Sequence, residues 1–205
     1  MNRLFILFSL AILTISCKNE YKPRNIDKVT IQEFTIDSTS IRSIQFKDAN
    51  TVYYAGSRGD VGFTSDGGKT WTKNSIKYQD SIIPHFRSLA TNAIDMFALS
   101  VGNPALLYKI SGNGKPELVY KEEHEKVFYD SMKFFPNGEF GIAVGDPTEN
   151  CASIIITSDG GNTWKKISCD KLPVFEDGEA FFAASNTNIK IIDNTVWIAS
   201  GGKKS

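Results

Sequence analysis

The sequence predicts an all-β protein built from repeated four-stranded units. The first observation is an octapeptide that occurs twice, as T-S-D-G-G-K-T-W at 64–71 and as T-S-D-G-G-N-T-W at 157–164. The second observation is a series of short β-branched or aromatic stretches that return about every 45 residues and show no helical periodicity. Short apolar strands at regular spacing, separated by turn residues, indicate an all-β architecture.

Each octapeptide has the composition of a tight β-hairpin. The Asp can accept hydrogen bonds from backbone N–H groups of the turn. The glycine pair supplies the positive φ values that other residues resist, and the Trp gives the return strand a large side chain to bury. We exclude calcium binding at these turns, because calcium takes six or more oxygen ligands. The residues with this structural role are Asp66, Gly68, Trp71, Asp159, Gly161 and Trp164.

The spacing of the two octapeptides predicts a repeat of about 46 residues, since Asp66 and Asp159 lie 93 positions apart. A third copy is therefore expected near position 112, where Tyr108–Lys115 keeps the glycines but lacks the Asp and the Trp. Upstream of each copy we predict two strands per unit. Their ranges are 41–46 with 52–56, 86–91 with 96–102, 129–135 with 140–145, and 180–184 with 196–201. Four short strands per repeat of this length are typical of a β-propeller blade.

The fourth unit has no octapeptide after Gly201. A propeller of about three and a half blades would leave a long exposed sheet edge. We therefore expect residues 29–205 to be the N-terminal half of a larger propeller of six to eight blades. The alternative is a complete small protein that closes by pairing with another copy. The alternating segment Val29–Ile36 could supply the outer strand that closes the last blade.

The N-terminus has the pattern of an export signal. Met1–Arg3 is a short basic start, and Leu4–Ile15 is an apolar run that is shorter than the roughly 20 residues that span a bilayer. Residues 1–17 resemble a bacterial lipoprotein signal, which implies that Cys17 becomes the lipidated first residue. The alternative is an ordinary secretory signal with an incidental Cys. Residues 18–28 are interpreted as a flexible tether, and we expect the protein in the bacterial cell envelope, in the periplasm or on the outer surface.

Charge and motif content exclude several function classes. Lys plus Arg and Asp plus Glu number 23 each, which argues against a nucleic-acid partner and against a polybasic membrane surface. The sequence has no G-x-G-x-x-G after a predicted strand and no C-x-x-C. The two histidines, His85 and His124, are not spaced as a metal pair. We therefore expect no cofactor and no metal.

Two cysteines flank the second octapeptide. If Thr157 lies opposite Trp164 in that hairpin, Cys151 and Cys169 are close to directly opposite each other and within reach of a disulfide. Export would permit the bond. A slip of one residue would place the two thiols on opposite faces, so the disulfide is a hypothesis about register.

Aligning the four units places a charged residue at one position in each, in the first strand of the unit. The innermost strands of a propeller line its channel, and we hypothesise that these side chains converge at one mouth of it. One interpretation is a structural ring of neutralising charges; the other is a mouth that binds an anion or a peptide. The four residues are Arg42, Arg87, Asp130 and Glu179.

The octapeptide resembles the Asp-box, also called the bacterial neuraminidase repeat. The unit of two strands, a small-residue turn and an Asp-box is similar to that of the photosystem II stability/assembly factor-like family. The resemblance implies a propeller that binds a protein or glycan partner as a non-enzymatic assembly scaffold, with no catalytic residue assigned. Sialidases also carry the box, so the alternative is a glycoside hydrolase whose remaining site residues lie in a C-terminal half. The Arg-Ile-Pro signature of sialidases does not occur in this sequence.

Overall fold

The structure is a computed structural model that describes residues 22–112, 114–182 and 186–203. The chain divides into two units between Phe34 and Thr35. Residues 22–34 of the first unit are exposed and form neither helix nor strand, and the predicted strand at 29–36 is likewise not formed. The predicted signal segment, including Cys17, lies outside the described residues, and the predicted tether is described only from Lys22.

The second unit contains three four-stranded antiparallel sheets followed by a two-stranded one. In each four-stranded sheet the spatial order of the strands follows the chain, so we number them blades 1 to 3, and we name the two-stranded sheet blade 4. The first strands of blades 1 to 3 pack side by side, as the innermost strands of a propeller do. The strands are β1 Ile41–Phe46, β2 Val52–Gly56, β3 Asp60–Thr64 and β4 Thr72–Ser75 in blade 1; β5 His85–Thr91, β6 Met96–Val101, β7 Ala105–Ile110 and β8 Pro116–Glu122 in blade 2; β9 Tyr129–Phe134, β10 Gly141–Gly145, β11 Ser153–Thr157 and β12 Lys165–Lys166 in blade 3; and β13 Ile189–Ile192 and β14 Thr195–Ile198 in blade 4.

The predicted all-β propeller of four-stranded antiparallel blades is confirmed. The first two predicted strands of each of the three complete units correspond to β1 and β2, β5 and β6, and β9 and β10. The degraded third octapeptide is the turn of the β7–β8 hairpin, where Ile110 pairs with Pro116. In the fourth unit the predicted strand 196–201 overlaps β14, and residues 183–184 of the predicted strand 180–184 lie outside the described residues. There Ala180 forms only an isolated bridge with Gly201, and the regular ladder is the β13–β14 hairpin. No helix in the described part of the chain is long and apolar enough to cross a membrane.

Adjacent blades pack through apolar clusters, and alternate residues of one strand enter different clusters. In β6, Met96 and Ala98 pack in the cluster shared with blade 1, whereas Phe97 and Leu99 pack in the cluster shared with blade 3. This division follows from the strand geometry, in which successive side chains point to opposite faces. A strand buried on both faces reads as a continuous apolar run rather than an alternating one.

Hydrogen bonds within the first octapeptide fix the shape of its turn. Asp66 Oδ1 accepts from the Thr70 backbone N–H at 2.9 Å and from Thr64 Oγ1 at 2.8 Å, and its Oδ2 accepts from Thr70 Oγ1 at 2.6 Å. Thr64 Oγ1 in turn accepts the Gly68 N–H at 2.9 Å. The hydrogen bonds from Thr70 and Thr64 lower the pKa of Asp66 to about 2. The carboxylate is therefore ionised and fully committed to the turn at neutral pH.

The second octapeptide repeats this network almost atom for atom. Asp159 accepts from the Thr163 N–H at 2.9 Å, from Thr163 Oγ1 at 2.7 Å and from Thr157 Oγ1 at 2.8 Å. Burial raises the pKa of Asp159, but the hydrogen bonds from Thr163 and Thr157 outweigh it and bring the pKa to about 2. The pairing of Ile156 with Lys165, continued by one residue, sets Thr157 opposite Trp164, which is the register that the sequence predicted.

Trp164 joins blade 3 to blade 2. Its side chain is 7% exposed, its ring lies 6.4 Å from that of Phe97 and 5.7 Å from that of Phe134, and its Nε1 donates to the Gly161 carbonyl at 3.2 Å. A Cβ at Gly161 would come within 2.4 Å of the Phe97 ring, and the φ of Gly161 is +87°. The turn therefore requires glycine there for two reasons, its positive φ and the close approach of the aromatic ring.

Asn186, which precedes β13, ties blade 4 to the innermost strands of blades 2 and 3. Its Oδ1 accepts from Ser88 Oγ at 2.8 Å and from the Met132 N–H at 2.7 Å. Its Nδ2 donates to the carbonyls of Leu89 and Met132 at 2.8 and 3.2 Å. One buried amide thus satisfies both its own hydrogen-bonding groups and free backbone groups of two inner strands.

Cys151 and Cys169 form a disulfide, with their Cα atoms 5.6 Å apart. The bond lies beyond the β11–β12 ladder. Cys151 makes an isolated bridge with Val174, and Cys169 begins a short 3-10 turn, Cys169–Lys171. The disulfide therefore closes the base of the second octapeptide hairpin where the strand pairing has ended.

The buried and exposed tryptophans provide a matched test of the blade contact. We expect Trp164→Ala to lower the free energy of unfolding by about 3–5 kcal/mol, because it removes a buried aromatic ring between two blades. Trp197→Ala, at a side chain that is 63% exposed, should change it by no more than about 0.5 kcal/mol. Urea unfolding followed by circular dichroism measures both. Equal losses for the two variants would contradict the role given to Trp164.

Candidate functional site

Three of the four aligned charged residues occupy β-bulges. In blade 1, Ile41 pairs with Gly56 and Ser43 with Ala55, so that Arg42 is the extra residue. By the same pairing, Arg87 is the extra residue in β5 and Asp130 is the extra residue in β9. A bulge bends its strand and redirects a side chain that regular pairing would place on a packed face. Three of the four aligned residues therefore share one structural position, at the starting ends of the three innermost strands.

Arg42 and Arg87 differ in exposure. Arg42 is exposed, whereas Arg87 is half-buried with its Cζ 5.9 Å from the centre of the Phe128 ring. Within the described part of the chain, neither guanidinium forms a salt bridge or a hydrogen bond to a side chain. The two groups therefore retain their hydrogen-bond donors, five on each, for a ligand or for solvent.

Asp130 is a buried carboxylate that makes no hydrogen bond of normal geometry within the described part of the chain, although the backbone N–H of Asp146 is close enough to lower its pKa slightly. It is 1% exposed, and neither of its oxygens has a partner among the described residues. Burial raises its pKa to about 7, and the nearby charge of Asp146 raises it further than the opposing charge of Arg87 lowers it. Near neutral pH this side chain is therefore divided between its protonated and ionised forms.

Asp60 shows how unusual this arrangement is in the molecule. It is 2% exposed, but its carboxylate accepts hydrogen bonds from Thr39 and Ser75 and pairs with Lys73 at 2.8 Å. Burial raises the pKa of Asp60, yet the contacts with Lys73, Ser75 and Thr39 lower it overall. Both side chains are nearly closed to solvent, yet their pKa shifts are opposite. Asp60 has donors and a lysine partner, whereas Asp130 lies deeper in the protein and beside the charge of Asp146.

Asp146 belongs to the same cluster as Asp130, although the alignment of the inner strands did not include it. Burial raises its pKa, while the Phe181 N–H, which donates to its Oδ1 at 2.8 Å, partly offsets that effect. Asp146 follows β10 and lies in the inserted loop 145–150 of blade 3. The length of that insertion was the sequence signal that could have identified it.

Glu179 lies away from the bulge register. Ala180 pairs with Gly201 as Tyr129 pairs with Gly145, which makes Phe181, rather than Glu179, the counterpart of Asp130. Glu179 instead accepts hydrogen bonds from Ser200 Oγ at 2.5 Å and from the Glu176 N–H at 3.1 Å. The charges of Arg87 and Asp146 thus both act on Asp130. Arg42 lies at the equivalent bulge of blade 1. Glu179 has a local structural role.

The cluster offers hydrogen-bond donors, a carboxyl of shifted pKa and an apolar support. Over the described ranges, no group of three or more His, Cys, Asp or Glu side chains is arranged to hold a metal ion. The arginines can recognise carboxylate or sulfate groups in a bidentate manner. The Asp130 carboxyl can exchange a proton near neutral pH.

The pH dependence of stability tests the state of Asp130. The folded-state pKa lies above the ordinary value of 3.8, so between about pH 4 and pH 7 the unfolded chain releases a proton that the folded protein keeps. Stability should therefore fall as the pH rises through this window, by about 2–4 kcal/mol. Asp130→Asn should remove most of this loss, whereas the exposed Asp177→Asn should leave it in place. Identical pH profiles for the wild type and Asp130→Asn would refute the shift.

Comparison with known proteins finds similar solved structures whose names indicate different functions. The sequence matches no protein-family model and no curated protein. Among solved structures, a YCF48 with a bound D1 peptide is 20% identical, with 63% of this chain and 40% of that chain covered and a TM-score of 0.48. YCF48 from Cyanidioschyzon merolae is 17% identical over 62% and 37%, with a TM-score of 0.45. The GH74 xyloglucanase from Xanthomonas campestris is 10% identical over 77% and 30%, with a TM-score of 0.49. The chain thus spans 40% or less of the length of each of these structures, and the propeller architecture rests on its own sheet topology.

Proposed function

We propose that this chain is an exported, lipid-anchored propeller that acts as a non-enzymatic scaffold and binds a protein partner in the cell envelope. The observation that carries the proposal is the placement of Arg42 and Arg87 on equivalent bulges of adjacent innermost strands, with guanidinium groups that bond to no described side chain. Rigid strands hold the backbone of both residues, so the conformational entropy lost when they bind a ligand is that of the two side chains.

The chemistry of the bulge residues favours an acidic peptide segment as the ligand. Guanidinium forks pair with carboxylates through two parallel hydrogen bonds, which adds geometric selectivity to the charge attraction. The half-buried position of Arg87 against Phe128 reduces competition from water for such a pair. The net charge of zero for the chain as a whole implies that attraction is local to these residues rather than a property of the entire surface.

Binding to defined acidic ligands tests the scaffold function. We expect an N-acetylated peptide rich in Glu to bind the wild type, and Arg42→Ala/Arg87→Ala to weaken binding at least tenfold, measured by isothermal titration calorimetry. The double variant Arg24→Ala/Lys47→Ala removes the same charge from exposed positions outside the bulges and should bind as the wild type does. Equal weakening in both variants would mean that the peptide binds through general charge attraction and not at the bulges. Binding of an oligoglucuronate in preference to the peptide would replace the protein partner by a glycan.

The anchoring part of the proposal depends on Cys17. Expressed in a bacterium with a lipoprotein pathway, the chain should yield a mature N-terminus at Cys17 carrying acyl groups, as seen by mass spectrometry. Cys17→Ala should abolish the acyl mass and move the protein from the membrane fraction to the soluble fraction. An unmodified mature N-terminus downstream of position 17 would instead support an ordinary secretory signal.

A glycoside hydrolase is the second candidate function, and one observation favours it. A carboxyl with a pKa of about 7 beside a second carboxyl has the protonation state required of a general acid. Asp130 is nevertheless 1% exposed, so a substrate oxygen has no direct access to it in this conformation. Hydrolysis of aryl glycosides that disappears in Asp130→Asn would favour the enzyme over the scaffold.

A further inference from the structure

We propose that a cavity between blades 1 and 2 binds an aromatic side chain of a partner protein. The cavity has a volume of about 180 Å³ and lies beside the turn of the β7–β8 hairpin. One of its lining residues, Met96, pairs with Thr91 at the end of β5, whereas the bulge at Arg87 lies near the start of that strand. The cavity is therefore at the opposite edge of the blades from Arg42, Arg87 and Asp130, and it goes beyond the function proposed for them.

The cavity occupies the place that a tryptophan fills between the next two blades. In blade 3, Thr157 pairs with Gly141, and one step of the ladder beyond the Ile156–Lys165 pair sets Trp164 opposite Thr157. In blade 2, Ile110 pairs with Met96 on one side and with Pro116 on the other. Pro116 therefore stands at the Trp164 position. The degraded third octapeptide has no tryptophan, and the cavity lies between the blades at the corresponding register.

The wall of the cavity on blade 1 is aromatic. Tyr53 pairs with Phe63 as Phe97 pairs with Lys109, so Tyr53 stands where Phe97 supports the Trp164 ring. The rings of Tyr53 and Phe63 are 6.2 Å apart. Between blades 2 and 3 the equivalent of Phe63 is Lys109, which bonds to Asn162 of the next hairpin at 2.6 Å. The first blade pair thus has an aromatic residue where the second has a polar bridge.

The size and lining of the cavity suit an indole or phenyl ring. An apolar cavity of about 150 Å³ in a protein interior is large enough to take up benzene, and this cavity is larger. Met96 and Ile110 form its second apolar wall, and the hydroxyls of Ser65 and Ser111 lie in its lining, where an indole N–H could donate. Gly112 and Gly114 of the hairpin turn also line the cavity, and a Cβ at Gly112 would meet no atom within 4 Å among the described residues.

The surface around the entrance points to a protein as the source of the ring. Ile94, which also lines the cavity, is 79% exposed. A free aromatic molecule inside the cavity would leave most of that side chain in water. A polypeptide that inserts one ring would cover Ile94 with its flanking residues, and a buried aromatic anchor with apolar surroundings is the usual core of a protein interface.

Methionine-methyl NMR provides a direct test, because the described chain has one methionine in the cavity and one outside it. With the methionine methyl groups labelled with carbon-13, titration with N-acetyl-L-tryptophanamide should shift the Met96 signal by the ring current of the bound indole. The Met132 signal should not move, because that side chain is buried in the cluster between blades 2 and 3.

Two variants with the same added residue locate the site. Pro116→Trp restores the tryptophan of the repeat, fills the cavity from within and should weaken binding at least tenfold. Glu117→Trp adds the same ring one residue later, on the opposite face of β8, and should leave binding unchanged. Phe63→Lys introduces the residue that blade 2 has at this register, Lys109, and should also weaken binding. It tests the site independently of whether Pro116→Trp folds.

Four results would overturn the proposal. They are the absence of a Met96 shift, equal shifts of Met96 and Met132, unchanged binding in a folded Pro116→Trp, and binding of free indole without binding of N-acetyl-L-tryptophanamide. The last result would assign the cavity to a small aromatic molecule instead of a partner's side chain. Because none of these variants touches Arg42 or Arg87, failure here leaves the scaffold proposal standing, and the reverse also holds.

Discussion

The sheets of blades 2 and 3 are apolar on both faces, and this constraint determines the arrangement of the rest. A twisted sheet that is apolar on one face can be covered by one neighbour, but one that is apolar on both needs two. Phe97 and Met96 are adjacent in the chain and yet pack in different interblade clusters. The blades must therefore follow one another around an axis, with the first strand of each blade at the centre. Where no neighbour covers a face, apolar side chains remain exposed, as Ile44 and Phe46 do on blade 1.

The octapeptide hairpins close the blades, and their internal hydrogen bonds leave nothing free for chemistry. Both carboxylate oxygens of Asp66 and of Asp159 accept hydrogen bonds from the Thr residues of their own turns. The tryptophan that ends the second octapeptide is the part that reaches the preceding blade. Blade 2 has neither the tryptophan nor the Asp, yet it forms the hairpin, because β7 and β8 are held by their own ladder. The difference lies in the packing between blades, where a cavity is lined by Ser65 of the first octapeptide and by Ser111 of the degraded copy.

Charged side chains at the inner-strand bulges differ from the other charged side chains discussed above, because they lack hydrogen-bond or ion-pair partners among the described residues. Asp60 and Asp130 have nearly the same burial, but only Asp60 has donors and a lysine partner. Glu179 likewise has local partners. Of the four aligned charged residues, those with unused hydrogen-bonding capacity are thus Arg42, Arg87 and Asp130, all of which sit at the extra residue of a bulge. A bulge supplies a side chain that neither blade contact requires, and it is a suitable place for a residue whose role is to bind.

Periodicity and turn chemistry by themselves determined the blade architecture, the strands of the first three units and the bulge alignment of Arg42, Arg87 and Asp130. These features depend on local rules, since alternation, positive φ at glycine and hairpin register are set within a few residues. Tertiary structure alone decided the rest. Asn186 bonds to strands about 50 and 100 residues earlier in the chain, Phe181 displaced Glu179 from the expected register, and Asp146 joined Asp130 from the loop after β10. The cavity lined by Tyr53 and Met96 likewise exists only because two blades meet there. No pattern within one segment encodes such contacts, because they depend on how separate blades pack together.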